Sequence, residues 1–365
     1  MKILYLITKS ELGGAQSHVG DLCRYFSKEN EIILMSYSGG WLENECKKLD
    51  VKFISNRYFS NSINPLKVFK AIKEIKKVLE NEKPDIVHCH SSGAGFFGRF
   101  ATKNKIPTLF TAHGWGFNIG VPFLQKWIAV FSEKFVSRYT ERIICVSEFV
   151  KELGVKYKIA DKEKFEVMYN GVESYKSSKE DDNGKIKIVF VGRLAEPKDP
   201  LVLLKAYDRL SNELKEVVEI SIIGDGPKKK ELELYLENNE LENASLLGSL
   251  PREQVFDKIN KSNVFVLVSS YEGLPYTILE AMNVGLPIIV SDVGGIKEMV
   301  EDGVNGFLLE NNSVEELKNV LEKLIKDQSL REKMGKRSKE KVLEKFTLGK
   351  MLKDTEELYN KILKK

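Results

Sequence analysis

The sequence predicts an α/β protein made of two parallel-sheet domains. Three observations lead there. Short apolar runs alternate with amphipathic helical stretches from one end of the chain to the other, the pattern of parallel strands joined by right-handed crossovers. Several runs, KIVFVG and VFVLVS among them, are apolar without interruption, as strands covered on both faces are. The 365 residues exceed one ordinary core, and the stretch YKSSKEDDNGKIK at 175–187 is polar, aperiodic and broken by Asn-Gly, so it marks a junction.

KILYLIT opens the chain as a first strand; its apolar part, Ile3 to Ile7, is too short for the core of a secretory signal. EIILMS, VKFIS, DIVHCH, PTLFTA, RIICVS and FEVMYNG follow as strands of the first half, with helical spacing at 65–82 and 122–140. KIVFVG, VEISIIG, ASLLG, VFVLVS, PIIVSD and GFLLE are the strands of the second half, with helices expected at 199–214 and 228–239. Pro275, pre-set for a first helical turn, predicts a further helix over 276–284. The tail FTLGKMLKDTEELYNKILKK has helical spacing. No run approaches the ~20 apolar residues of a membrane span. Cys23, Cys46, Cys89 and Cys145 are scattered without C-x-x-C, which points to reduced structural thiols in cytosol and not to a zinc site.

The net charge of +4 conceals an asymmetry. Residues 1–172 carry 26 Lys+Arg against 18 Asp+Glu, and the remainder 31 against 35. A basic first half suits nucleic acid, anionic lipid or an acidic substrate, while a solvated surface with a chance bias fits as well. Residues 51–142 hold 15 basic against 6 acidic side chains. Within them PFLQKWIAVFSEKFVSRY mixes Trp127, Phe131 and Phe135 with Lys126, Lys134 and Arg138. That is either an amphipathic face for anionic lipid or, the more usual meaning of aromatics at helical spacing, plain core.

In open parallel sheets, ligands bind beyond the carboxyl ends of the strands, so the segments just after strands carry the candidates. Gly13 and Gly14 in TKSELGGAQSHV bare the backbone before a helix; the pair is not a G-x-G-x-x-G fingerprint, and a tight turn without ligand explains it equally. VFVGRLAEPKDP places Gly192, Arg193 and Lys198 in one loop. A guanidinium fork and an ammonium together suit a diphosphate leaving group, although two surface cations are the commoner meaning. Gly224 and Gly226 in SIIGDGPKKKEL suit close approach to a nucleotide or a simple turn. SSYEGLPYTILEA puts Glu272 in the loop after a strand, and Glu280 about one and a half turns into the following helix. A carboxylate that accepts in two directions suits paired sugar hydroxyls. The four histidines, His18, His88, His90 and His113, all fall in the first half. His88 and His90 share a strand face, and no acidic or cysteine cluster accompanies them, so packing or cleft lining ranks above metal. His113 in FTAHGWGFN enters a glycine-loosened loop, facing either a ligand or the core.

Taken in order, the Gly-Gly loop, DIVHCH, TAHG, VSEFV, YNGV, VGRL…K, GDGP, the E-x7-E pair and SDVGGIKEMVEDGVNGFLL resemble the retaining glycosyltransferases of family 4 over nearly the whole chain. The resemblance implies the GT-B fold: two Rossmann-like domains facing a cleft, with the C-terminal helix crossing back to the N-terminal domain. It implies an acceptor-binding domain at 1–174 plus 347–365, and a nucleotide-sugar domain at 175–346. Arg193 and Lys198 would then hold the donor diphosphate, and Glu280 the ribose hydroxyls. Glu272 with the amides of Gly273, Leu274, Pro275, Tyr276 and Thr277 would surround the donor sugar, with Pro275 contributing no amide hydrogen of its own. His113 would reach that sugar from the other domain; Gly13, Gly14, Gly192 and Gly224 would line the phosphates, and Gln16, His18 and His90 the acceptor side. Gln16 stands where many relatives have glutamate, which puts acceptor contacts there in doubt.

By the same resemblance the co-substrate is a UDP-sugar, no cofactor or metal is needed, and no D-x-D motif is present. The departing phosphate accepts the acceptor's proton, and the acceptor is a glycan on a lipid diphosphate used for capsule, exopolysaccharide or O-antigen. The enzyme is then expected in the cytoplasm, peripheral on the inner face of the cell membrane, with no nucleic-acid partner. Two alternatives stay open: a GT-B sugar-nucleotide epimerase, which the VGRL…K plus E-x7-E combination disfavours, and a non-catalytic basic lipid- or nucleic-acid-binding module, which the acidic second half disfavours for nucleic acid.

Overall fold

The computed structural model describes residues 1–59, 64–118, 120–175, 184–310 and 312–364. Most of the polar junction read at 175–187 lies outside the described residues. The chain forms two compact units, Met1–Asn170 with Gly349–Lys365, and Gly171–Leu348.

All seven apolar runs of the first unit are strands: β1 Lys2–Leu6, β2 Glu31–Ser36, β3 Lys52–Ser55, β4 Ile86–His90, β5 Thr108–Ala112, β6 Arg142–Cys145 and β7 Phe165–Val167. They pair in parallel in the order β3-β2-β1-β4-β5-β6-β7. Leu4 stands between Ile33 of β2 and Val87 of β4, and β1 is buried from Ile3 to Leu6 because helices cover both faces. Right-handed crossovers put the helices Gly14–Phe26 and Trp41–Lys48 on one face, and Pro65–Glu82, Ser92–Thr102 and Phe123–Ser137 on the other. The terminal helix Leu348–Leu363 joins the first face: its Tyr359 ring lies 5.2 Å from that of Phe26. Strand order reverses between β1 and β4, so the loops after these strands open the crevice in which such sheets bind ligands.

The second unit repeats the plan with β8 Ile186–Val191, β9 Val218–Ile223, β10 Ala244–Gly248, β11 Val264–Leu267, β12 Ile288–Ser291 and β13 Gly306–Leu309. Their parallel order is β10-β9-β8-β11-β12-β13, which places the reversal between β8 and β11. The loops carrying Arg193 and Glu272 leave those two neighbouring strands.

Some bounds differ from the sequence expectation. The helix expected at 199–214 is two helices, Pro200–Asp208 and Asn212–Glu216. Leu210 is drawn into the core with its amide bonded to the Tyr207 carbonyl at 3.0 Å, and Ser211 is extended, so the first helix cannot continue. The helix expected at 122–140 ends at Ser137, where Tyr139 and Thr140 close tighter turns onto Val136 and Ser137. FEVMYNG is strand only to Val167. The units divide at Asn170/Gly171 and Leu348/Gly349. At that place the Val172 amide bonds the Phe346 carbonyl at 2.9 Å, and Leu348 bonds back to Val172 at 3.0 Å. Gly171 has no room for a side chain, since a Cβ there would lie 2.4 Å from the Thr347 carbonyl oxygen. Among the described residues no helix is long and apolar enough to cross a membrane.

Candidate active site

The loops after β8 and β11 are stitched together by backbone. Asp199 donates to the Val268 carbonyl at 3.0 Å, and Ser270 to the Pro197 carbonyl at 2.9 Å. This brings Lys198 and Glu272, 74 positions apart, into a direct ion pair between Nζ and Oε1, with both side chains largely shielded. The lysine stem passes over Gly192, where a Cβ would lie 2.5 Å from Lys198 Cδ. Arg193 in the same loop is exposed and donates from Nη2 to the Glu196 carbonyl at 3.2 Å. Lys198 has three donors and Glu272 engages one edge of them, so the ammonium can also receive an anion arriving at the sheet edge.

Three glycines hold this edge by close backbone contact. Gly224 has φ +144°, and a Cβ there would meet the Gly192 carbonyl oxygen at 1.9 Å. Gly226 packs likewise on Leu194, at 2.4 Å from its carbonyl oxygen. Gly294, at φ +61°, would set a Cβ 1.8 Å from the Glu272 carbonyl oxygen, and Gly295 donates to that carbonyl at 3.2 Å. The nucleotide-facing reading of Gly224 and Gly226 therefore has a structural cause beside it: they let the loop after β9 press on the loop that bears Arg193 and Lys198. Gly294 seats Glu272, a role the sequence reading missed although GG in SDVGG was its signal.

Glu280 projects from the helix Tyr276–Asn283, which starts after Pro275 with no side-chain cap. First-turn amides of a helix have no intrahelical acceptor and favour anions, so Gly273, Leu274, Pro275, Tyr276 and Thr277 form the loop and helix start at the site. The Glu280 carboxylate is 13% exposed and lies 3.8 Å from Arg252 Nη2. Close by, the Tyr175 and Phe256 rings meet at 4.4 Å, and Asn283 Nδ2 donates to the Glu173 carbonyl. Arg252 is a neighbour that sequence reading did not single out, since a lone arginine in PREQVF carries no signal.

In the first unit the four histidines assemble into one cluster. His88 and His90 do share a strand face, with ring centroids 4.2 Å apart. His88 is satisfied inside the core: Nδ1 meets Tyr359 Oη at 2.6 Å and Nε2 meets Thr111 Oγ1 at 2.7 Å. His90 Nδ1 lies 3.3 Å from His113 Nε2, and His18 rests edge-on against His113 with centroids at 5.0 Å. His18 Nδ1 also meets Asn170 Oδ1 at 3.1 Å. Burial pushes the His18 imidazole down to about 4, with the Asn170 contact opposing. Burial first, and the neighbouring imidazoles second, hold His90 and His113 well below the usual histidine range, and His88 likewise. All four are thus neutral at pH 7, each with one ring nitrogen that donates and one that accepts a hydrogen bond, without carrying charge. His113 remains part-exposed. Gln16 turns back to donate to the Lys9 carbonyl at 3.1 Å, above the bare backbone of Gly13 and Gly14 at the start of the helix Gly14–Phe26.

Comparison with known proteins follows the same division. Residues 172–341 match the family described as Glycosyl transferases group 1, and residues 12–175 the one described as Glycosyltransferase Family 4. An Escherichia coli relative, UDP-Gal:alpha-D-GlcNAc-diphosphoundecaprenol alpha-1,3-galactosyltransferase, is 31% identical over 318 residues, covering 82% of this chain and 81% of its own. The chain is a family 4 glycosyltransferase. This glycosyltransferase is also 28% identical over 348 residues to the O-antigen biosynthesis glycosyltransferase WbnH of Escherichia coli, across 94% of this chain and 96% of that one. Its fold is GT-B: the structure of Anabaena HepE with UDP and glucose superposes with a TM-score of 0.86 over 99% of both chains at 19% identity.

Proposed function

We propose that this glycosyltransferase moves a hexose or N-acetylhexosamine from a UDP-sugar, with retention of configuration, to a sugar hydroxyl of a lipid-diphosphate-linked glycan in cell-surface polysaccharide synthesis, capsule or O-antigen. The observation that carries the reading is the Lys198–Glu272 pair at the strand-order reversal of the second sheet, beside the uncapped helix that bears Glu280. The E. coli relative named for galactose transfer to a diphosphoundecaprenol-linked sugar supports the acceptor class, and HepE with UDP and glucose supports the donor class.

In this reading the donor diphosphate lies against Lys198 and Arg193 and the first-turn amides of the helix Tyr276–Asn283. Charge accumulates on the diphosphate as its bond to the anomeric carbon breaks, and fixed positive groups stabilise it more in the transition state than in the ground state. Glu280 accepts from the ribose hydroxyls and Glu272 from the sugar, while Gly192 and Gly224 keep the backbone close. His113, neutral and part-exposed, is the catalytic histidine of this reading, beside His90 and His18, with Gln16 and the Gly13-Gly14 backbone on the acceptor side. The anomeric C–O bond to phosphate breaks, the C–O bond to the acceptor forms on the same face, and the hydroxyl proton passes to the departing phosphate oxygen. Side-chain cations supply the charge compensation, so no metal or cofactor is required. The enzyme works at the inner face of the cell membrane, where such acceptors are held, and nucleic acid is no partner.

Two readouts test this together: transfer from UDP-hexoses in excess EDTA, and the anomeric configuration of the product by proton NMR. Undiminished transfer in EDTA with an α-linked product from an α-linked donor is expected. Strict dependence on a divalent ion, or an inverted product, contradicts it.

A further inference from the structure

The histidines of the first unit form a ladder with a direction. β4 and β5 pair in the register His88↔Leu109 and His90↔Thr111. Alternation, carried one residue past β5, puts His88, His90, Thr111 and His113 on one face. Each histidine of β4 then reaches diagonally, to the residue two places beyond its partner. His88 Nε2 meets Thr111 Oγ1 at 2.7 Å, and one rung on, His90 Nδ1 meets His113 Nε2 at 3.3 Å. His90 is fully enclosed. Its ring centroid lies 4.2 Å from that of His88, 5.5 Å from that of His18 and 6.1 Å from that of Tyr5, so neighbouring rings fix its orientation.

The other ring nitrogen of His90 decides which histidine of the pair donates. His90 Nε2 is buried and has no hydrogen-bond partner among the described residues. A neutral pair can be arranged in two ways. If His113 Nε2–H donated to His90 Nδ1, the His90 proton would sit on Nε2, an enclosed N–H with nothing to receive it. If His90 Nδ1–H donates to His113 Nε2, His90 Nε2 carries only a lone pair. Folded proteins leave enclosed N–H groups unpaired more rarely than enclosed acceptors, which selects the second arrangement. The proton of His113 is then on Nδ1. No described residue bonds that nitrogen, and His113 is part-exposed, so its N–H is open to a ligand.

We infer that His90 is a positioning residue for the reaction: by donating from Nδ1 it fixes the tautomer of His113. His113 thereby presents an Nδ1–H donor to a sugar oxygen and has no free lone pair with which to act as a base. The inference rests on the reading of His113 as the catalytic histidine and deepens it. A fixed neutral donor stabilises a sugar oxygen, and any charge that grows on it, without taking up its proton. With Nε2 occupied by His90, His113 offers the acceptor's proton no route, which leaves the departing phosphate oxygen to receive it.

Nitrogen-15 NMR of the enzyme labelled in histidine alone reads the tautomer without turnover. The chain has only four histidines, and His113→Gln identifies the His113 signals by their loss. At pH 7 the wild type should show His113 with Nδ1 protonated and Nε2 bare. His90→Leu removes both ring nitrogens and keeps an apolar side chain in the space. In that variant His113 should change to a mixture of tautomers, with kcat lowered roughly fivefold to tenfold, the worth of one neutral hydrogen bond. His90→Asn puts a donor back where Nδ1 stood. It should return the His113 signals to the wild-type pattern and regain most of the lost kcat, which a space-filling role for His90 would not produce. Calorimetric UDP binding by the wild type tests the donor-site reading separately, so its failure would leave the tautomer result standing. His113 protonated at Nε2 in the wild type overturns the inference. So does a His113 signal unchanged in His90→Leu, or one not restored in His90→Asn. If His90→Leu does not fold, the wild-type and His90→Asn spectra give the answer.

Discussion

Lys198 and Glu272 are each unremarkable in sequence, a loop lysine and a loop glutamate, and gain meaning only by meeting. Their pairing was not legible from spacing, because the 74 intervening residues say nothing about which strands are neighbours. The histidines show the same limit. His18, His88, His90 and His113 were legible as cleft or core residues, but their assembly depends on β4 lying between β1 and β5. That assembly has a measurable consequence. In the unfolded chain these imidazoles take up protons below about pH 6.5, whereas folded His18 does so only near about 4 and the other three well below the usual range. Between those values the unfolded state holds more protons, so stability is fully present above the unfolded value and is lost as pH falls through the window. Thermal unfolding should show Tm dropping steadily below about pH 6.5, and His18→Gln should give a shallower slope. A slope unchanged in that variant would remove His18 from the linkage.

At the scale of elements, the strands were the most legible part. All thirteen apolar runs are strands in the structure, since parallel strands buried on both faces leave uninterrupted apolar stretches. Helix ends were less so: Leu210 turning inward and Ser211 extending split one expected helix in two. Glycines divide into those that serve a turn and those that serve a contact, and only the structure separates them. Gly224 and Gly303 both have positive φ, but a Cβ at Gly303 meets nothing within 4 Å while one at Gly224 strikes the Gly192 carbonyl. Gly303→Ala should therefore cost about 1 kcal/mol from backbone strain. Gly224→Ala should cost at least ~3 kcal/mol, from strain plus displacement of the Lys198 loop, and should weaken UDP binding as well. Denaturant titration of the two variants checks the contrast, and equal losses would refute the contact role of Gly224.

At the scale of the molecule, the two-domain α/β class was legible from length and alternation, as was the unequal charge, with the basic excess in residues 1–172. The exposure of Phe123, Trp127 and Phe131 on the helix Phe123–Ser137 was not, because aromatics at helical spacing look alike whether they face the core or solvent; only the enclosed Arg99–Glu133 pair decides which stripe turns inward. The central claim concerns the second unit: side-chain cations and carboxylates at its strand-order reversal hold a nucleoside diphosphate. Charge-assisted hydrogen bonds contribute about 1.5–3 kcal/mol each, so losing one should weaken binding roughly tenfold to a hundredfold. Calorimetric titration of UDP in EDTA into the wild-type enzyme, Lys198→Ala and Glu280→Ala measures this directly. Binding by the wild type with a loss of that size in both folded variants is the predicted result; affinities unchanged in both would contradict the account.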